Sequence, residues 1–145
     1  MSALTDYAEN KIIDWLIRGQ SVTPPATWYI GLLSAAASDS APGTELSGGS
    51  YARVAVAANA TNWNSTDGDN DAASTGTDGT TENDVVITYP APTGDWGIAV
   101  GFGFYDAASG GNLWITEDLT TPKTINNGDA APVFPVAALS VQIDN

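Results

Sequence analysis

Trp96-Gly97-Ile98-Ala99-Val100-Gly101-Phe102-Gly103-Phe104-Tyr105 alternates large apolar side chains with glycine and alanine. A period of two over ten residues predicts a β-strand. Trp96, Ile98, Val100, Phe102 and Phe104 would share the core face, and Gly97, Ala99, Gly101 and Gly103 the other. A face without side chains lets another backbone or side chain come close. Gly101 and Gly103 are therefore expected at a crossing strand or a subunit contact.

Outward from this strand, the same period recurs. Asp106-Ala107-Ala108-Ser109-Gly110-Gly111-Asn112 reads as a turn, and Leu113-Trp114-Ile115-Thr116 as the strand that closes a hairpin. Further strands are predicted over residues 27–33, 51–60, 84–89, 123–125, 133–136 and 139–143. In the second of these, Val54 and Val56 face one way, and Tyr51 and Arg53 the other. Asn126-Asn127-Gly128 supplies a tight turn. Pro135 puts its strand at an edge or a bulge. Seven or eight short strands predict a mainly β, antiparallel sandwich of jelly-roll-like form.

The N-terminus differs. Leu4, Tyr7, Ala8, Ile12, Trp15 and Leu16 recur at helical spacing. Thr5 can cap the start, Asp6 and Glu9 suit the positive end of the dipole, and Gly19 can close the helix. Ile13 and Ile17 widen the apolar stripe beyond one face, so this amphipathic helix is expected to touch both its own sheet and a partner. Tyr7, Ile13, Trp15 and Ile17 are the candidate contact residues. The expected organisation is a single domain over 1–145: a helix in 1–20, a sandwich from 27–60 and 84–145, and an exposed acidic loop at 61–83.

Composition narrows the chemistry. The 145 residues contain no Cys and no His. That removes disulfides, imidazole bases and Ser-His or Cys-His nucleophile pairs. Net charge is −13, with only Lys11, Arg18, Arg53 and Lys123 positive. Nucleic-acid binding draws its affinity from cations that neutralise phosphates, and anionic lipid would repel this surface. Neither nucleic acid nor membrane is expected as a partner. There is no basic-then-apolar leader and no apolar run of roughly 18 residues, which predicts a soluble protein made in a cytoplasm.

Asp67-Gly68-Asp69-Asn70-Asp71, with Asp78 at the twelfth position from Asp67, spaces carboxylates as a calcium loop does. Ala72 stands where that loop needs Gly for its sharp turn, Asp78 is shorter than the usual Glu, and flanking helices are missing. A solvated acidic loop is the simpler reading, so no metal is assigned. Asp95, Asp106, Glu117 and Asp118 fall near strand ends, where an acidic protein carries carboxylates in any case. No cofactor and no catalytic residue is expected. Most of the five Trp alternate into the core; Trp63 sits in a polar segment and is expected as a contact anchor or a cap over the sandwich edge.

Several stretches carry a resemblance: Ala3-Leu4-Thr5-Asp6-Tyr7-Ala8-Glu9-Asn10-Lys11, Pro25-Ala26-Thr27-Trp28-Tyr29-Ile30-Gly31-Leu32-Leu33, Gly48-Gly49-Ser50-Tyr51-Ala52-Arg53, and Phe104-Tyr105-Asp106-Ala107-Ala108-Ser109-Gly110-Gly111-Asn112-Leu113. With Lys123-Thr124 and Gly128-Asp129, they resemble small tailed-bacteriophage structural proteins commonly labelled tail fibre proteins. The acidic segment at 62–84 is longer than that pattern. The resemblance implies a virion component, made in the bacterial cytoplasm, with no catalytic residues to carry over; similar folds act as capsid cement. A short acidic sandwich without coiled-coil heptads leads to the expectation of a capsid decoration protein that bridges major capsid subunits. The alternative is a module of the tail or tail fibre that contacts the host surface. Partners would be the major capsid protein or other virion proteins, with homo-oligomers or many copies per particle.

Overall fold

A computed structural model describes residues 3–65, 73–75 and 79–143. The helix forms as expected, with one shift at its start. Helix α1 spans Asp6–Leu16 behind an N-cap at Thr5. Leu4, placed in the helix by its spacing, instead belongs to a short strand, β1 (Ala3–Leu4). Thr5 explains the switch. Its hydroxyl donates to the Leu113 carbonyl at 2.6 Å and accepts from the Ala8 N–H at 3.4 Å, so one buried side chain caps the helix and ties its start to the sheet.

The remaining strands are β2 (Thr27–Ala35), β3 (Thr44–Glu45), β4 (Val54–Ala57), β5 (Thr80–Glu82), β6 (Ile87–Thr88), β7 (Gly97–Tyr105), β8 (Leu113–Ile125), β9 (Val133–Phe134) and β10 (Ser140–Gln142). All pairings are antiparallel. The main sheet runs β1-β8-β7-β2-β3, and β4 also pairs with β2. Two ribbons, β5–β10 and β6–β9, are hydrogen-bonded separately. The mainly β, antiparallel class with one N-terminal helix is thus confirmed. The core joins main-sheet residues Ile30, Leu32, Val56, Phe102 and Phe104 to Ile87, Leu139 and Val141 from the ribbons and their flanks.

Alternation holds along only part of β7. Phe102 and Phe104 are buried as predicted, but Ile98 is 51% exposed and Ala99 takes a place in the core. Two irregularities cause this. Gly97 has φ +95°, and the register slips between Ala99, which faces Lys123, and Gly101, which faces Asp118. A bulge shifts every later side chain to the opposite face. On the far side of β8, β1 covers only Ile115 and Thr116.

The segment expected as an exposed loop over 61–83 is more integrated at both ends. Trp63 bridges to Asn83, and β5 pairs with β10. Asn83 is fully buried. Its amide donates to Val85 O and Pro135 O, both at 2.7 Å, and its side-chain oxygen accepts from Leu139 N–H at 2.8 Å. One amide therefore knots three segments, with each bond replacing water that the site excludes.

Candidate functional site

Two features stand out from the packed body: a buried polar clasp and an uncovered helix face. The clasp centres on Arg53. Its Nε and Nη2 donate to the two Glu45 carboxylate oxygens, each at 2.8 Å, a bidentate fork. Nη1 donates to the carbonyls of Ala107 at 2.6 Å and Gly110 at 2.8 Å. The guanidinium lies 3.4 Å from the Tyr105 ring centroid, in cation–π contact. Tyr51 completes the set: its hydroxyl donates to Glu45 Oε1 at 2.9 Å and accepts from Leu32 N–H at 2.8 Å. Burial pushes the Tyr51 hydroxyl far above its ordinary range; the Leu32 hydrogen bond opposes this, and Glu45 adds to it. Burial pushes the Arg53 guanidinium down, but hydrogen bonds and charge from Glu45 outweigh this and raise it, so it stays charged.

Gly31, which the sequence did not single out, and the predicted Gly101 and Gly103 allow close approach in and beside this cluster. A Cβ on Gly31 would meet Glu45 Oε1 at 2.9 Å and the Tyr105 ring at 3.0 Å. On Gly103 it would strike Leu113 and Tyr105, and on Gly101 the Glu117 carbonyl at 2.8 Å. Gly101 and Gly103 are both buried, and the chain's own atoms fill the space beside them. The shared face of Tyr51 and Arg53 is a sequence signal for part of this cluster; Glu45 gives none, because β3 is two residues long and its pairing is long-range.

Of the carboxylates expected near strand ends, Glu117 and Asp118 lie inside β8, and Asp95 and Asp106 serve loops. Asp106 accepts from Asn112 N–H at 2.7 Å, Asn112 Nδ2 at 2.8 Å and Trp114 Nε1 at 3.1 Å. Burial raises its carboxyl, but the bonds from Asn112 and Trp114 outweigh that and hold it below its usual value. Asp95 accepts from Asn127 N–H at 2.8 Å. Among the described residues no three His, Cys, Asp or Glu side chains gather to hold a metal. Asp67, Asp69, Asp71 and Asp78 lie outside the described residues.

Helix α1 is different. Ala8 is buried, and Tyr7 packs edge-on against Trp114 with centroids 5.2 Å apart. The other side is bare: Ile13 is 50% exposed, Leu16 61% and Ile17 80%, while Trp15, 60% exposed, stands on the sheet-facing side near Trp114. On the sheet-facing side, an apolar hollow of about 390 Å³ is lined by Lys11, Ile12, Trp15, Val22, Pro24 and Trp114. Single exposed apolar residues are ordinary, but Ile13, Leu16 and Ile17 exposed together at one helix end mark an interaction surface. Of the sequence-chosen contact residues, Ile13 and Ile17 share the bare face one turn apart, while Tyr7 and Trp15 lie on the side towards the sheet. Trp63 is elsewhere: half-buried, it packs on Phe104 at 5.3 Å and donates to the Ala57 carbonyl at 3.1 Å, capping the core.

The family model described as Podophage GP4 fiber I protein gp80 matches residues 3–142. The chain belongs to this family. As a gp80-family member it is a phage structural protein of the virion, in line with the tail-fibre likeness read from its motifs, and it associates with other virion proteins. No curated protein matches the chain.

None of the helices is long and apolar enough to cross a membrane among the described residues.

Proposed function

We propose that the protein is a fibre-associated structural module of the phage particle that docks on its neighbours through the bare face of α1 and catalyses no reaction. The observation that carries this reading is the exposure of Ile13, Leu16 and Ile17 on a helix whose other side is anchored to β8. Such a patch gains its binding free energy by leaving water. The clasp at Arg53 uses its polar groups on each other and on the hairpin tip, so it acts as scaffold.

Capsid decoration was the first expectation from the short acidic sandwich. The family's description as a fibre protein favours the tail or tail-fibre alternative instead. Copy number separates the two: hundreds of copies per particle fit the head, and a handful fit the fibre apparatus. For the docking surface, phage carrying Ile17→Glu should assemble particles depleted of this protein, as read by quantitative mass spectrometry of purified virions. A normal load of the variant in those particles would refute the docking role.

A further inference from the structure

The geometry points to a second docking site: the hollow between α1, β8 and the chain that follows the helix seats a short segment of another virion protein, a large apolar side chain with a carboxylate beside it. The site goes beyond the docking reading above, because it lies on the opposite side of α1, and it stands or falls independently of that reading.

The walls set the apolar half of this occupant. Lys11 and Trp15 stand one turn apart on the helix, Val22 and Pro24 come from the connection that follows it, and Trp114 comes from β8. The Trp114 ring is held edge-on by Tyr7 at 5.2 Å and by Trp28 at 5.7 Å. The space of about 390 Å³ is empty of the chain's own side chains and has room for one or two large ones. An apolar side chain placed there leaves water together with the exposed surfaces of Trp15 and Pro24. Recesses walled by tryptophan are where binding energy concentrates.

The polar groups set the other half. Every polar side-chain group in the walls is a donor: the Lys11 ammonium and the indole N–H of Trp15 and Trp114, the last already given to Asp106 at 3.1 Å. A sugar hydroxyl, which must donate as well as accept, meets no side-chain acceptor. A carboxylate only accepts, and it matches the walls.

Charge selects the same partner. The chain has 17 acids and four cations. Arg53 is held by Glu45, and Arg18 by Asp14 at 3.4 Å. Lys11 makes no ion pair among the described residues; its Nζ lies 5.4 Å from the Tyr7 ring centroid. A cation left without a carboxylate at an apolar recess, in so acidic a chain, complements an acidic segment from elsewhere. A second copy would set −13 against −13, which one lysine does not offset. The chain associates with other virion proteins, and the segment belongs to one of these.

Two measurements test this. The first is an NMR titration of the full chain, read at the indole N–H signals, with the peptides acetyl-Gly-Phe-Asp-Gly-amide and acetyl-Gly-Phe-Asn-Gly-amide. The Asp peptide should bind in the millimolar range and about three- to fivefold more tightly than the Asn peptide. In Lys11→Gln that preference should vanish, and Val22→Trp, which fills the hollow from its wall, should lose both peptides. Lys123→Gln, at the other end of β8, and Ile17→Glu, on the bare face, should bind as wild type does. Lys11→Gln leaves the fold intact, since it breaks no ion pair, and so keeps the test decisive should Val22→Trp disturb the connection. The second is a diazirine-bearing residue in place of the exposed Thr23, activated in purified virions. It should crosslink to a different virion protein, at a segment with a large apolar residue within two positions of Asp or Glu. Equal binding of the two peptides, a preference that survives Lys11→Gln, a crosslink to another copy of this chain, or no crosslink at all would overturn the inference. Any of these together with loss of Ile17→Glu from virions leaves the docking reading standing alone. The expected peptide and crosslink results with Ile17→Glu normally loaded leave only the hollow.

Discussion

Replacing Arg53 with Met tests the clasp most directly. The change removes two charge-assisted hydrogen bonds to Glu45, two to backbone carbonyls and the stack on Tyr105. Breaking a buried ion pair from one side costs about 3–5 kcal/mol, mostly because the other charge is left unpaired. The Arg53 side chain is 6% exposed and Glu45 26%, so Glu45 recovers some hydration and the lower end applies. The Gly110 carbonyl is exposed and turns to water at little cost. The expected loss is about 3 kcal/mol, or about 10 °C in Tm for a chain of this length. Differential scanning calorimetry at pH 7 reads it. Arg53→Lys keeps the charge but loses the fork and the planar stack, and should recover less than half of the loss. The double change Arg53→Met with Glu45→Met should melt above Arg53→Met alone, since no stranded carboxylate remains. A Tm for Arg53→Met within about 2 °C of wild type would refute the view that this cluster holds the hairpin tip to β3.

Asn83→Asp puts a carboxylate against the Val85 and Pro135 carbonyls, both acceptors. It should destabilise by about 3 kcal/mol at pH 7. Its folded-state pKa would rise above the unfolded value, so the deficit against wild type should shrink as pH falls; a pH-independent deficit in urea titrations would contradict the assignment of the amide hydrogens. Asp106 has the opposite sign. Its depressed carboxyl contributes stability that is complete above the usual value of 3.8 and is lost as pH falls through the lower folded value, so Asp106→Asn should flatten the acid limb of the stability curve. Gly49→Ala should cost more than Gly103→Ala in thermal melts. The new Cβ at Gly49 would lie 2.6 Å from Gly94 N and 2.7 Å from the Thr93 carbonyl carbon, both backbone, while at Gly103 it meets side-chain ends that can shift. About 3 kcal/mol against about 1 is expected.

Local signals in the sequence located most elements, and long-range pairings supplied what they left out. The helix was legible because Thr5, the early acids and the apolar spacing agree; the two residues before it pair with Ile115 and Thr116, far along the chain. β8 is one strand of thirteen residues, yet it reads as two short strands, because Glu117 to Pro122 is polar and contains a proline. β5 is Thr-Thr-Glu, without an apolar residue, and exists because Ser140–Gln142 lies beside it. The strand that fixed the fold class also misled about its own first half: no local rule announces the slip between Ala99 and Gly101, which depends on how much β8 inserts opposite. The candidate surface was half legible. Helical spacing shows that Ile13 and Ile17 fall off the sheet-facing stripe, but it sets the exposed Leu16 on that stripe, and the hollow needs Trp114 from β8 and Pro24 from the following segment.

The outer margin of β8 has a bearing on how such a protein behaves when crowded. β1 protects only two of its residues, and an open strand margin is a template on which further chains can stack without limit. Here that template is spoiled where it is most open. Pro122 offers no N–H, Lys123 places a cation there, and the uneven spacing against β7 prevents a straight ladder of donors and acceptors. A particle component must gather at high local concentration during assembly yet stop at a defined number. The spoiled margin denies growth by sheet extension and leaves association to side-chain surfaces.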